Sequence, residues 1–349
     1  MSPGVRRYGY ALAPLLAAAI WGGMYVVSTW TFATVPPLTL GFLRVAVGAA
    51  ALYAVVRVRG VTVDRADYRR FAVLGGWVAA TIATQFLGTA WTNASQGSLL
   101  TVLTPVFTVA LGAWVLDETV TRRKALGVAL AGVGTLVVLA GRYDPAAVAV
   151  GNVAGVGALV LASVAWAGYT VWGVPVVRKY SALTAATYST VASLPVLAAL
   201  AAVELAVRGP SLAAMATPGA LLAVGYLGLG STAAAWYLWY KGLETVSAGT
   251  VAAFFFAQPL VGTLLGALLL NEAVGPWFVV GGAVMAVGIW TVATAGGDGD
   301  DAGDDGDRAG SPGADGRRRV PSAPGARRRA PANAPGWRSA HRGGWSRHR

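Results

Sequence analysis

The chain has 349 residues, 56% of them hydrophobic and only 12% charged, roughly half the charged fraction of a soluble domain. It contains no Cys, and its two His, His341 and His348, lie in the C-terminal tail. This excludes disulfides, thiolate metal sites and a His-based metal or acid–base centre in the body. Of the net charge of +12, residues 1–295 contribute 16 Lys+Arg against 8 Asp+Glu, placed mostly between apolar runs; that is the bias of membrane loops, not a nucleic-acid footprint.

Arg6 and Arg7 precede an apolar stretch from Tyr8 to about Thr31. A secretory signal has an apolar region of only about 7–15 residues, so this longer run is read as a first, uncleaved membrane helix. Further runs of bilayer-crossing length follow almost without pause. They predict an all-α integral membrane protein with spans near 9–30, 36–58, 71–91, 95–116, 124–141, 151–173, 182–206, 217–240, 247–270 and 275–295. Pro14, Pro105, Pro175, Pro195 and Pro259 fall within or beside them, which membranes tolerate where neighbours satisfy the freed carbonyls. Asn93-Ala94-Ser95 fits a glycosylation sequon, but its loop is only a few residues long and lies against the membrane. Thirteen basic residues fall at one set of span ends and two, Arg142 and Arg208, at the other. By the positive-inside rule both termini are cytoplasmic, and the plasma membrane is the expected location.

The chain repeats itself. AIWGGMYV at 19–26 returns as VAWAGYTV at 164–171, with Trp21 on Trp166 and Gly23 on Gly168. The stretch 93–118 returns at 245–272, where Pro105 answers Pro259, Gly112 answers Gly266 and Glu118 answers Glu272. Gly127 and Gly134 then match Gly281 and Gly288. Each copy holds five spans. An odd number makes the second copy enter the membrane upside down, so the expectation is ten transmembrane helices as two inverted five-helix repeats, 1–141 and 142–295. Such repeats place a solute site between the copies near the bilayer midplane. Residues 296–349 are acidic, then rich in Arg, Pro, Gly and Ala, and are expected to be a disordered cytoplasmic tail.

The paired W-[GA]-G of spans 1 and 6, Arg44 in span 2, and the two small-residue stretches running through Pro to Glu118 and Glu272 resemble the drug/metabolite transporter superfamily, specifically the ten-span EamA-like permeases. The resemblance covers about residues 9–295. It implies ATP-independent transport of small solutes such as amino acids and other metabolites. One departure is Gln258, where an acidic residue often precedes the second Pro.

The residues themselves suggest a cavity. Arg44 is the one cation well inside a span, where a charge costs at least about 2.5–3.5 kcal/mol. It either binds a solute anion or holds backbone carbonyls at a helix break. Trp21, Trp166, Tyr25 and Tyr169 sit mid-span beside small residues and either pack the core or line the cavity. Gln85, Gln258 and Thr104 are polar groups that need partners in lipid. Glu118 and Glu272 are expected at the rims as gate or helix-start residues. Span 1 and span 6 contain no Asp or Glu, so a shared central carboxylate for proton coupling is not expected. No metal, cofactor, nucleic acid or enzymatic activity is expected; the partners are a small solute and the lipid bilayer. A membrane-embedded enzyme or a channel is the alternative.

Overall fold

The computed structural model describes residues 3–92, 94–101, 103–140, 153–261 and 275–295. Every element among them is helical. The chain runs through α1 (Pro3–Trp21), α2 (Met24–Thr31), α3 (Pro37–Val58), α4 (Tyr68–Trp91), α5 (Ala94–Leu100), α6 (Leu103–Val115) and α7 (Arg122–Ala140). It continues through α8 (Val153–Tyr180), α9 (Ala182–Arg208), α10 (Pro218–Gly225), a π-helical segment (Tyr226–Ala234), α11 (Ala235–Leu243), α12 (Ala248–Ala253), a 3-10 turn (Phe254–Phe256) and α13 (Pro276–Ala295).

Seven described helices are long and apolar enough to cross a membrane: Ala11–Thr31, Pro37–Val58, Arg65–Trp91, Val153–Tyr180, Ala182–Arg208, Pro218–Leu243 and Pro276–Ala295. Leu103–Val115 and Ala248–Val261 are apolar but shorter. The predicted ninth span, the link 142–150 and the tail fall partly or wholly outside the described residues, as does Glu272.

Local chemistry sets the helix ends. Pro37 and Pro218 occupy first-turn positions, where the missing N–H costs nothing. Ser181, Thr217 and Ser247 side chains accept from Thr184, Ala220 and Thr250 backbone N–H groups. Gly209, in the left-handed region at φ 56°, closes α9.

The interruptions are equally local. Gly22 and Gly23 separate α1 from α2. Breaks also precede Pro105 and Pro259 by about one turn, at Thr101 and at the 3-10 turn Phe254–Phe256. A proline ring clashes with the carbonyl four residues earlier, which here belongs to Thr101 and Phe255. The second copy of the tryptophan motif differs from the first: α8 runs unbroken through Trp166, Ala167 and Gly168. Ala167 stands where span 1 has Gly22. Gly168 serves close packing instead, because a Cβ there would lie 2.8 Å from the Trp77 ring.

Helices of the first half pack mainly on helices of the second: α4 on α8 and α9, α1 on α11, α3 on α9 and on the π segment, α6 on α12, and α7 on α13. The α7–α13 contact is built from the four matched glycines. A Cβ on Gly134 would meet the Gly281 carbonyl at 2.5 Å, and one on Gly288 would meet the Gly127 carbonyl at 2.6 Å. Only glycine permits this backbone approach, which provides the van der Waals contact that holds helices together in lipid.

Candidate functional site

Two helix irregularities face each other at the centre. The Gly22–Gly23 break frees carbonyls at the end of α1: the Trp21 carbonyl accepts from Gln258 Nε2 at 3.0 Å, and the Ile20 carbonyl accepts from the Tyr226 hydroxyl at 2.5 Å. Opposite, the wide π turn exposes the Ser231 carbonyl, which accepts from Trp21 Nε1 at 2.8 Å and from Arg44 Nη2 at 3.0 Å. A π turn displaces one carbonyl from the regular ladder, and here two side-chain donors take it up.

Arg44 lies on α3 and is 1% exposed. Its Nε donates to Thr232 Oγ1 at 2.9 Å, Nη2 also donates to Ser231 Oγ at 3.2 Å, and Nη1 reaches only the Met24 sulfur at 3.0 Å. The guanidinium stands over the Phe86 ring, 5.5 Å from its centroid. Among the described residues no carboxylate pairs with it. A desolvated cation whose partners are neutral keeps an unsatisfied preference for an anion.

Trp21, Arg44, Gln85, Thr104 and Trp166 all line one cavity, together with Met24, Thr81, Ser163, Trp236 and Phe255. Its volume is about 30 Å³, room for one or two waters. Two polar groups in its wall have no partner among the described residues, Trp166 Nε1 and Thr104 Oγ1. The wall is thus rich in donors and, among the described residues, contains no Asp or Glu.

The other expected residues stand behind this lining. The Tyr25 hydroxyl accepts from Gln85 Nε2 at 2.8 Å. Tyr169 stacks on Tyr240 at 4.7 Å, packs against Trp166 at 5.1 Å and shares a hydrogen bond with Ser189. Gln258 splices the Pro259 stretch to Trp21, and its own Oε1 is buried without a donor. Trp236 and Phe255 were not singled out from the sequence, because an aromatic in an apolar run reads equally as lipid-facing. Phe255 lies three residues before Gln258, inside the Pro-induced break, and that position was the available signal.

Glu118 lies apart from the cavity. It crosses to the other half, accepting from the N–H groups of Ala248 at 2.7 Å and Gly249 at 3.3 Å, so it caps α12. Lys124 stands beside it, donating to Ser247 Oγ at 2.9 Å. At the opposite end Glu204 does the same for α3, accepting from the Thr39 N–H at 2.7 Å and the Thr39 hydroxyl at 2.9 Å. The sequence offered no sign of this second cap.

A profile of the EamA-like transporter family matches residues 7–140 and 153–294. A protein of Archaeoglobus fulgidus described as an uncharacterized transporter is 27% identical over 279 residues, covering 79% of this chain and 96% of its own. A Streptantibioticus cattleyicolor protein described as a probable terminal-alkyne amino-acid exporter is 28% identical, covering 79% of this chain and 94% of its own. A crystal structure shares the fold with a TM-score of 0.68 at 22% identity, over 83% of this chain and 99% of that one.

Proposed function

The chain belongs to the EamA-like transporter family, which matches it twice, and on that premise we propose that it is a secondary transporter of small metabolites carrying a carboxylate, such as amino acids. The carrying observation is Arg44, buried at the cavity wall with no anionic partner among the described residues. Beside it the unpartnered Trp166 N–H offers a second donor. Arg44 Nη1, held by nothing stronger than the Met24 sulfur, is the donor left for a carboxylate, which has lone pairs left for the indole. The Streptantibioticus cattleyicolor relative, described as an amino-acid exporter, is consistent with such a cargo.

The mechanism is alternating access between two inverted five-helix units, 1–141 and 142–295, in ten spans, with 296–349 as a cytoplasmic tail. The contact pattern supports the inverted pair. On exchanging the halves, the α4–α8 contact becomes α11–α1 and the α4–α9 contact becomes π segment–α3, while α3–α9, α6–α12 and α7–α13 map onto themselves. A cavity of about 30 Å³ admits no metabolite, so loading requires the halves to part at one end. The Glu118 cap on α12 is the bond to release at one end, and the Glu204 cap on α3 at the other. Glu272 would be the counterpart of Glu118. With no carboxylate among the described residues of the cavity wall, direction comes from the solute gradient or from exchange. The positive-inside bias of the loops supports a reading with both termini in the cytoplasm, and the plasma membrane is the expected location.

The test is counterflow in proteoliposomes. Vesicles preloaded with unlabelled amino acids should accumulate labelled ones, and the matching decarboxylated amines should not compete. Competition by the amines equal to that of the amino acids would overturn the carboxylate assignment. Single-channel currents in a planar bilayer would overturn alternating access.

A further inference from the structure

The π segment has two faces. Its inner face holds Arg44 through Ser231 and Thr232. Its outer face lines a groove of about 330 Å³. One wall is Ala51, Val55 and Arg59, at successive turns of α3 and its C-cap; the other is Leu229, Ala233 and Tyr237, at successive turns of the π segment and α11. The two helices touch at Gly48, where a Cβ would lie 2.7 Å from Thr232 Cγ2 and 2.9 Å from the Gly228 carbonyl. From that contact the groove extends toward the basic end of the bundle.

The wall chemistry is graded. The eight helical steps from Ala51 to Arg59 cover about 12 Å, close to the depth of one leaflet's hydrocarbon, about 15 Å. Among the described residues the groove is apolar over that length, and its polar side chains are Arg59, at the basic end, and Tyr237. Arg59 is exposed and has no carboxylate partner among the described residues. A slot that is greasy along its length and cationic at one mouth matches an amphiphile with an anionic head.

We propose that this groove binds one acyl chain of an anionic phospholipid, with the phosphate on Arg59, and that the bound chain, packed on the outer face of the π segment, stiffens the turn that holds Arg44. The binding does not depend on the transport reading; the effect on Arg44 deepens that reading and rests on it. A chain against Leu229 and Ala233 favours the π geometry, and loss of that geometry would return the Ser231 carbonyl to the helix ladder and release Arg44. Anionic lipid therefore favours the contracted cavity and slows exchange.

Native mass spectrometry of the full chain reads the binding directly, with phosphatidylglycerol and phosphatidylcholine of identical chains as probes. Wild type should retain phosphatidylglycerol preferentially, and Arg59→Gln should lose about fivefold of that preference, equivalent to the ~1 kcal/mol one cation contributes at an anionic surface. Arg57→Gln, two residues away and not in the groove wall, should keep it. Leu229→Trp, which fills the groove, should lower retention of both lipids. Glycerol phosphate, a head group without a chain, should not compete. Equal retention of the two lipids, equal loss in Arg57→Gln and Arg59→Gln, or displacement by glycerol phosphate would overturn the site. In proteoliposomes, raising the phosphatidylglycerol fraction should slow solute exchange by wild type and leave Arg59→Gln unchanged. Lipid binding without that difference would overturn the coupling while leaving the site standing.

Discussion

Trp21 and Trp166 meet edge to face, their ring centroids 5.2 Å apart and their planes at 89°, although one lies in each half of the chain. Their indole N–H groups have opposite fates: Trp21 Nε1 is bonded to the Ser231 carbonyl, whereas Trp166 Nε1 has no partner among the described residues. Replacing each by Phe should therefore give different phenotypes. Trp21→Phe removes one of the two donors to the Ser231 carbonyl, leaving Arg44 Nη2, and should lower stability by about 0.5–1.5 kcal/mol. Trp166→Phe should leave the melting temperature unchanged and weaken solute binding. Thermal unfolding in detergent with and without solute checks both; a Trp166→Phe protein with wild-type affinity would remove the indole from the site.

Arg44→Lys keeps the charge but loses the planar fork that holds Thr232 and Ser231 and that, on the proposed function, also meets a solute carboxylate. The loss of one charge-assisted bond, about 1.5–3 kcal/mol, should raise the Kd of carboxylate solutes about tenfold to a hundredfold. The folded fraction on size exclusion should stay near wild type. Equal affinity in the two proteins would leave Arg44 with only its visible role, fastening α3 to the π segment.

Glu118→Ala removes one of the two caps of α12, leaving Ser247, and takes away the neighbour of Lys124. A lost helix cap costs about 0.5–2 kcal/mol, and here the loss falls on one end of the bundle only. Ser247→Cys, in the natural Cys-free background, should then react faster with a water-soluble maleimide in Glu118→Ala than with Glu118 intact. Identical labelling rates would show that the cap does not hold that end closed.

Gly134→Val forces a side chain into the Gly281 carbonyl and the Met285 backbone. Overpacking of this kind costs about 1–3 kcal/mol, a fall in Tm on the order of 5 °C. Gly132→Val, whose nearest neighbour is the Phe256 ring at 3.9 Å, is the control and should be near neutral. Equal shifts in the two variants would mean that the α7–α13 approach is not tight.

Orientation can be read with single cysteines. Asp67 is a poor probe, being buried and bonded to Lys179 and Tyr180. Arg65 and Arg208 are exposed and lie at opposite ends. Arg65→Cys should be labelled only from the cytoplasm and Arg208→Cys only from outside. Labelling of both from one side would reject the inverted arrangement.

Much of the architecture was legible because it rests on periodic or repeated features. Apolar runs gave the helices, Pro105 and Pro259 marked breaks one turn ahead, and the matched glycines at 127, 134, 281 and 288 turned out to form a single contact. The centre was less legible. The tryptophan motif is copied in both spans, yet only span 1 is interrupted and α8 runs unbroken, since Ala167 lacks the freedom of Gly22. The π segment YLGLGSTAA carries no distinguishing pattern; its register follows from donors that arrive from Trp21 and Arg44, far away in the chain. Caps such as Glu204 on Thr39 pair residues 165 apart, and no local signal encodes the partner.

The Arg44 anchor also has a consequence in time. Its carbonyl acceptor at Ser231 is made 187 residues later, which at about 5–20 residues per second is a delay of about 10–40 s. Throughout that interval α3 carries a bare guanidinium at a depth where lipid offers nothing to bind it. The nascent first half must therefore stay sheltered at the insertion machinery or in partial contact with water until the π segment emerges. A chain truncated before Ser231 should be a substrate for membrane proteases rather than a stable half-molecule, and co-expression of the missing half should rescue it.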